Sequence, residues 1–497
     1  MSEATEHFDV CVIGGGPSGY AATMRALDFN RRVLLVERDR VGGAGIYDGA
    51  LSSKTFWELS KEYASMRAKY ERYGQPAPRV DFSLIRQEVQ DAVRERAEQL
   101  VSHLRLVHQQ YPALFEFQSG MARLHDTHTV EIISNGTARI VHADNIVLAT
   151  GSRPRILPDI PVDERTIMTS DGISSLTELP GSIAILGAGV IGCEFATIFS
   201  NFGATRVHLI EKADRILPFE DEDLSSVIEG NLRNNGVVIH HRAALVSMEP
   251  ADGGVRYVLD TPEGRQTVDV DRALISVGRV PNSEGLGFAE LGLNMSAGGH
   301  ILDEDTATNV PGIYAVGDLT ADIALVNVGE LEGRHAVEKM FGKPRRPITY
   351  ENISTIMFLN PETAGVGMNE QQAMAQGLSY RVAAFDFNCI PRAMAMRRTQ
   401  GFFKILVTDD DEMRILGMRA VGEHASSAIQ AVALLISMGK GIEELAELIH
   451  PHPAIIEGVQ ECVRMLLGKS IFKPSVFGEH LRYRRYAEGR YVVSEAR

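Results

Sequence analysis

The sequence predicts an α/β chain with two Rossmann-like units in tandem and a C-terminal α+β domain. Three observations carry that reading. A pattern of strand, glycine-rich turn, helix and returning strand runs from Phe8 to Val36 and recurs from Ser182 to Ile210. The 497 residues over-fill one domain and suit about three. Beyond Tyr350 the composition changes to apolar strand-like runs followed by apolar helical segments.

The elements follow in chain order. Val10-Cys11-Val12-Ile13 is a short apolar strand, Gly14 to Gly19 the turn, and Val33-Leu34-Leu35-Val36 the return. Ile85, Val89, Val93, Ala97, Leu100 and Leu104 recur at steps of three and four, one face of an amphipathic helix. Residues from about Phe115 to Ile146 alternate and turn like a small antiparallel meander. Ile183-Ala184-Ile185-Leu186, the turn Gly187 to Gly192, and Val207-His208-Leu209-Ile210 repeat the opening pattern. Phe403 to Val407 and Arg414 to Val421 read as strands, Ala425 to Ser437 and Ile455 to Leu467 as helices. The tail from Lys469 is aromatic and basic and is expected to pack as an arm on this chain or on a second subunit.

Composition bounds the function. Hydrophobic residues are 44% and charged residues 23%, as in an ordinary globular protein. Lys+Arg 50 against Asp+Glu 65 leaves a net charge of −15, which opposes nucleic acid or an anionic membrane surface as partner. The apolar run from Ala428 to Met438 is too short to span a bilayer. The opening MSEATEHFDV has no basic segment followed by an apolar one, so a cytoplasmic protein is expected. Cys11, Cys193, Cys389 and Cys462 lie too far apart for a disulfide framework or a zinc motif, and no metal site is expected.

The two glycine turns point to chemistry. Gly14, Gly16 and Gly19 are followed by Glu37, and Gly187, Gly189 and Gly192 by Glu211, an acid closing the second strand each time. Such glycines let the backbone approach a pyrophosphate at a helix N-terminus, and the acid takes the ribose hydroxyls. Two such sites imply two dinucleotides, one held and one exchanging; FAD and a nicotinamide nucleotide are the obvious pair.

These motifs, with Ala149-Thr150-Gly151-Ser152, Val277-Gly278-Arg279-Val280-Pro281-Asn282 and Tyr314-Ala315-Val316-Gly317-Asp318, make the chain resemble the FAD-dependent pyridine nucleotide-disulfide oxidoreductases over residues 8 to about 468. Dihydrolipoamide dehydrogenase, mercuric reductase and soluble pyridine nucleotide transhydrogenase belong to that family. The resemblance implies an FAD-binding domain over 1–155 and 285–345, an NAD(P)-binding domain over 156–284, a dimerisation domain over 346–468 and a tail over 469–497. It assigns FAD to Gly14, Gly16, Gly19, Glu37, Lys54, Ala122, Thr150, Gly151 and Asp318. NAD(H), with NADP(H) as the alternative, falls to Gly187, Gly189, Gly192, Glu194, Glu211 and Gly278. Lys54 and Glu194 match the pair beside the flavin, and His452 with Glu457 the acid/base dyad given to the other subunit of a homodimer.

One segment departs from the family. Gly42 to Lys54 reads GGAGIYDGALSSK, with Gly45 and Ala50 where the redox cysteines would stand. Thiol–disulfide exchange needs a sulfur nucleophile. The expected activity is therefore hydride transfer from a nicotinamide nucleotide through flavin to an unidentified small non-disulfide acceptor, as in a transhydrogenase. The alternatives are a diaphorase or quinone reductase, a dihydrolipoamide dehydrogenase-like protein without thiol activity, and a non-catalytic flavin-bearing NADH sensor. Space vacated by the two cysteines is expected to admit the acceptor, with Tyr47 and Asp48 either contacting it or folding inward. Glu211 is expected to favour NADH, with Lys212 and Arg215 offsetting that preference in part.

Overall fold

The computed structural model describes residues 6–344, 346–446 and 448–492. The chain divides into two compact units. The first comprises Met1–Leu59, Pro78–Leu179 and Leu274–Ile348, the second Ser60–Ala77, Pro180–Ala273 and Thr349–Arg497.

The first unit is built on strand Glu6–Ile13, which pairs in parallel with Val33–Glu37 on one side and Thr137–Leu148 on the other. Ile313–Ala315 adds a further parallel strand beside Thr137–Leu148. Period-two alternation sorts the core onto two faces. Cys11 and Ile13 pack on one side with Leu34, Ile146 and Ile313, while Val10 and Val12 pack on the other with Ala22, Ala26, Val33 and Leu35. Both faces are covered, which is why these strands read as unbroken apolar runs. Helix Pro17–Asp28 starts with Pro at its first turn, where the missing N–H costs nothing. Its neighbour Val326–Phe341 approaches closely because Gly329 and Gly333 lack side chains: a Cβ at Gly333 would lie 2.1 Å from the Ser18 carbonyl oxygen.

Two expectations need adjusting here. The amphipathic helix is longer than its apolar stripe, spanning Phe82–Gln110 with Asp81 as N-cap. The meander does not begin at Phe115. Phe115–Ser119 pairs in parallel with Val33–Glu37, and the antiparallel part is Met121–Leu124, Thr129–Ser134 and Thr137–Leu148. Alternation reports that one face is buried and is silent on strand direction.

The second unit repeats the parallel motif in Ser182–Leu186, Arg206–Ile210 and Val238–His240. Helix Val190–Phe202 is buried along almost its whole length, and Glu222–Asn234 follows the second strand. An antiparallel meander, Ala244–Ala251, Gly254–Thr261 and Gly264–Val270, completes this half. The C-terminal half is an antiparallel sheet in which Tyr380–Asp386, Phe402–Thr408, Ile415–Val421 and Thr363–Gly367 lie side by side. The tail extends that sheet: Leu481–Ala487 pairs with Tyr380–Asp386, and Arg490–Val492 turns back on it.

Candidate dinucleotide and redox site

Both glycine turns are formed, and each glycine has its own reason. Gly14 sits at φ +109°, and a Cβ there would lie 2.3 Å from the Ala149 carbonyl oxygen. A Cβ at Gly19 would lie 1.9 Å from the Gly14 carbonyl oxygen, while one at Gly16 would meet nothing within 4 Å. The first glycine thus makes the turn, the third lets helix meet strand, and the second leaves backbone open to a phosphate. In the second unit Gly187 takes φ +99° and Gly189 is again open, with Gly192 buried in the first turn of helix Val190–Phe202.

The two acids make matching contacts. Glu37 accepts from the Gly15 amide through Oε2 at 2.6 Å and from the Asp39 amide through Oε1 at 2.7 Å. Glu211 accepts from Ala188 and Ala213 amides, both at 2.9 Å, and is buried. Each carboxylate is locked over its glycine turn and keeps lone pairs for ribose hydroxyls. Arg215 is not available to counter Glu211. Its guanidinium donates to the carbonyls of Glu220 and Pro218, at 2.5 and 2.8 Å, while Lys212, next to Glu211 in the chain, is exposed.

A cavity of about 260 Å³ opens beside Glu37, with Ala122, Thr150, Arg153, Asn282 and Glu284 in its wall. Ala122 and Thr150 are expected residues, and Asn282 closes the Val277–Asn282 motif; Arg153, three positions after Thr150, and Glu284, two after Asn282, carry no signal of their own. They form one network. Asn282 donates to the Thr150 carbonyl at 2.9 Å, Thr150 returns a bond to the Asn282 carbonyl at 2.7 Å, and Arg153 pairs with Glu284 at 2.6 Å. Gly151 at φ +67° and Gly278 at φ +107° supply the left-handed turns around it. Asp318 accepts from the Ser152 hydroxyl at 2.6 Å, and Arg279 donates to that hydroxyl at 2.8 Å. Sequence reasoning also missed Glu332, a buried carboxylate that accepts from the Gly317 amide at 2.6 Å.

The departing segment folds as a tight turn, Gly43–Gly45, before helix Ala50–Arg72, which carries Lys54. At Gly45 a Cβ would lie 2.8 Å from Pro17 Cγ. Tyr47 and Asp48 both meet Arg40. The Arg40 guanidinium lies 4.0 Å from the Tyr47 ring centroid and pairs with Asp48 at 2.7 Å. A groove of about 760 Å³ does run past Gly16, Pro17, Gly45 and Leu51. All four cysteines are buried and reduced. Burial pushes the Cys11 thiol up to about 12 and also raises Cys193, Cys389 and Cys462, so none is poised as a thiolate.

Glu194 lies in the second unit, buried, and accepts from the Phe358 amide at 3.0 Å. His452 and Glu457 do meet. His452 Nδ1 is 3.1 Å from Glu457 Oε2, and the Ala454 amide donates to Oε1 at 2.6 Å. The carboxylate therefore orients the ring and leaves Nε2 as its basic nitrogen, on a side chain 72% exposed.

Residues 8–333 match the pyridine nucleotide-disulphide oxidoreductase family, and residues 353–463 match its dimerisation domain. The chain belongs to this family. It is 32% identical to dihydrolipoyl dehydrogenase of Geobacillus stearothermophilus over 466 residues, 93% of this chain and 97% of that one. Dihydrolipoyl dehydrogenase of Zymomonas mobilis is 30% identical, covering 94% of this chain and 99% of that protein. Among solved structures, LpdA from Mycobacterium tuberculosis superposes with a TM-score of 0.84 at 26% identity, covering 93% of this chain and 99% of that one. The HOCl-induced flavoprotein disulfide reductase RclA from Escherichia coli gives 0.80 at 25% identity, covering 92% of this chain and all of that one. FAD and a nicotinamide nucleotide are the cofactors of the family. The open backbone at Gly16 and Gly189 and the locked acids beside them fit those groups. The dimerisation match supports a homodimer, and among the described residues no helix is long and apolar enough to cross a membrane.

Proposed function

We propose that this chain is an FAD-dependent NAD(P)H oxidoreductase that delivers reducing equivalents to a small organic acceptor instead of a disulfide, in the manner of a soluble pyridine nucleotide transhydrogenase. The observation that carries this reading is the segment Gly42 to Lys54, where Gly45 and Ala50 stand and no sulfur is present. Bound FAD supplies the two-electron relay between nicotinamide and acceptor.

The chain's own residues do the rest. The Gly14–Gly19 and Gly187–Gly192 turns offer backbone amides to the two pyrophosphates, and Glu37 and Glu211 hold the riboses. Lys54 and Glu194 keep the parts that the resemblance gives them, compensating charge beside the flavin. For a quinone-type acceptor, which takes hydride and proton together, His452 would supply the proton from Nε2 with Glu457 fixing the ring through Nδ1, whereas a nicotinamide acceptor takes hydride alone and draws no proton from the dyad. The dihydrolipoyl dehydrogenase relatives would argue for thiol chemistry. Against it stand the missing sulfur and a Gly45 whose Cβ position is crowded by Pro17.

The test is a panel of oxidants (thio-NADP, a quinone, lipoamide and dioxygen) with NADH and NADPH as donors. Turnover of thio-NADP or quinone without lipoamide supports the proposal and tells transhydrogenase from diaphorase. Flavin that stays oxidised on addition of NADH would leave a non-catalytic flavin-bearing protein instead.

A further inference from the structure

We propose that His7, His142 and Asp144 form a surface site for one divalent transition-metal ion, with Zn²⁺ as the probe. Strand register brings the three together. His7 and His142 are direct partners across the parallel pair Glu6–Ile13 and Thr137–Leu148. Asp144 lies two positions beyond His142, so its side chain leaves the same face of the sheet. Their ligand atoms fall within 4.8 Å of one another, and His7 Nε2 is already 2.9 Å from Asp144 Oδ1.

The set suits a borderline d-block ion. Two imidazoles and a carboxylate are zinc ligands at about 2.0–2.1 Å, which puts tetrahedral neighbours about 3.3 Å apart. Closing from the present spacing takes a rotation of half-exposed side chains and no movement of backbone. Water would fill the fourth position. Cu²⁺ would bind the same ligands more tightly than Zn²⁺ by the general affinity order.

Two further observations favour a ligand here. His142 Nδ1 is buried and has no hydrogen-bond partner among the described residues, a cost that coordination or ring rotation would remove. His142 is also buttressed. Its ring stacks between His7 and His128 at centroid distances of 5.4 Å each, and His128 is itself anchored by Nδ1 to the Ala143 carbonyl at 3.0 Å. The net charge of −15 favours cations in general. The site lies at the start of Glu6–Ile13, whereas the dinucleotide turn begins at Gly14 beyond its end. Seven strand residues separate them by about 23 Å, so metal and dinucleotide bind independently.

The test uses full-length, tag-free, flavin-loaded protein stripped with a chelator and titrated calorimetrically with Zn²⁺. One saturable equivalent per chain is expected. His7→Gln, at an exposed position, and Asp144→Asn should each weaken it at least about tenfold, with flavin absorbance and far-UV circular dichroism unchanged. His142→Gln should abolish it. His452→Ala, which removes a histidine–carboxylate pair elsewhere in the chain, should leave this equivalent in place. No saturable heat, or an affinity unmoved in both His7→Gln and Asp144→Asn, overturns the proposal; so does loss of the equivalent in His452→Ala alone.

Discussion

Replacing Lys404 with methionine should cost the second unit about 3–5 kcal/mol of stability, the penalty for leaving buried charge without its partner. Lys404 has no exposed surface, and its ammonium is 2.7 Å from Asp221, 2.6 Å from Asp223 and 3.1 Å from Glu370. The loss is uneven among the three. Asp223 keeps Arg482 at 3.6 Å and Glu370 keeps Arg484 at 3.1 Å, whereas Asp221 retains only amide donors from Glu370 and Gln371, each at 3.2 Å. The expected value therefore sits near the lower end of that range, and Asp221→Asn in the Lys404→Met background should recover about 1 kcal/mol. Burial pulls the Lys404 pKa down, but the three carboxylates outweigh it and hold it above 10.5. Burial pushes Asp221 up, but Lys404 and the two amides outweigh that and hold it below 3.8. The cluster's contribution is thus fully present between about pH 5 and 9. It fades as pH falls through the folded Asp221 value, and fades again as pH rises through the folded Lys404 value. Urea unfolding followed by far-UV circular dichroism reads the effect, because the single tryptophan, Trp57, belongs to the first unit. A Lys404→Met protein within about 1 kcal/mol of the parent at neutral pH would refute the reasoning.

NADH should show the higher kcat/KM of the two donors, and Glu211→Ser should narrow the gap; equal use of NADPH by the parent would show that Glu211 does not discriminate. His452→Ala should leave flavin reduction by NADH nearly intact in stopped flow while slowing reoxidation by the acceptor by about 10²-fold, the lower end for a lost general acid. Gly45→Leu adds bulk to the groove past Gly45 and Leu51 and should block acceptor turnover; unchanged turnover in flavin-loaded protein would move the acceptor away from that segment.

The parts of the site that were legible are those written locally in the chain. Three glycines and an acid within one βα-unit announce themselves by spacing, and Glu37 and Glu211 stand over their turns as that spacing requires. The rest is assembled from distance. Arg153 on one segment and Asn282 with Glu284 on another enclose the cavity beside Glu37, and no periodicity connects the two segments. Lys404 is hidden in the apolar strand FFKILVT, where a lone lysine reads as an edge residue until three acids and two arginines are found around it. Nothing in the sequence places Arg40 against both Tyr47 and Asp48. Strand direction at Phe115 and the juxtaposition of His7, His142 and Asp144 escape the sequence for the same reason: each depends on which strand lies alongside.

The most direct measurement of the central claim is lipoamide turnover set against thio-NADP and quinone turnover, in the parent and in a variant lacking all four cysteines. The account predicts that NADH reduces the flavin, that an organic oxidant reoxidises it in both proteins, and that lipoamide is not turned over by either. Lipoamide turnover at a rate comparable with the organic oxidants, above all in the cysteine-free variant, would contradict it.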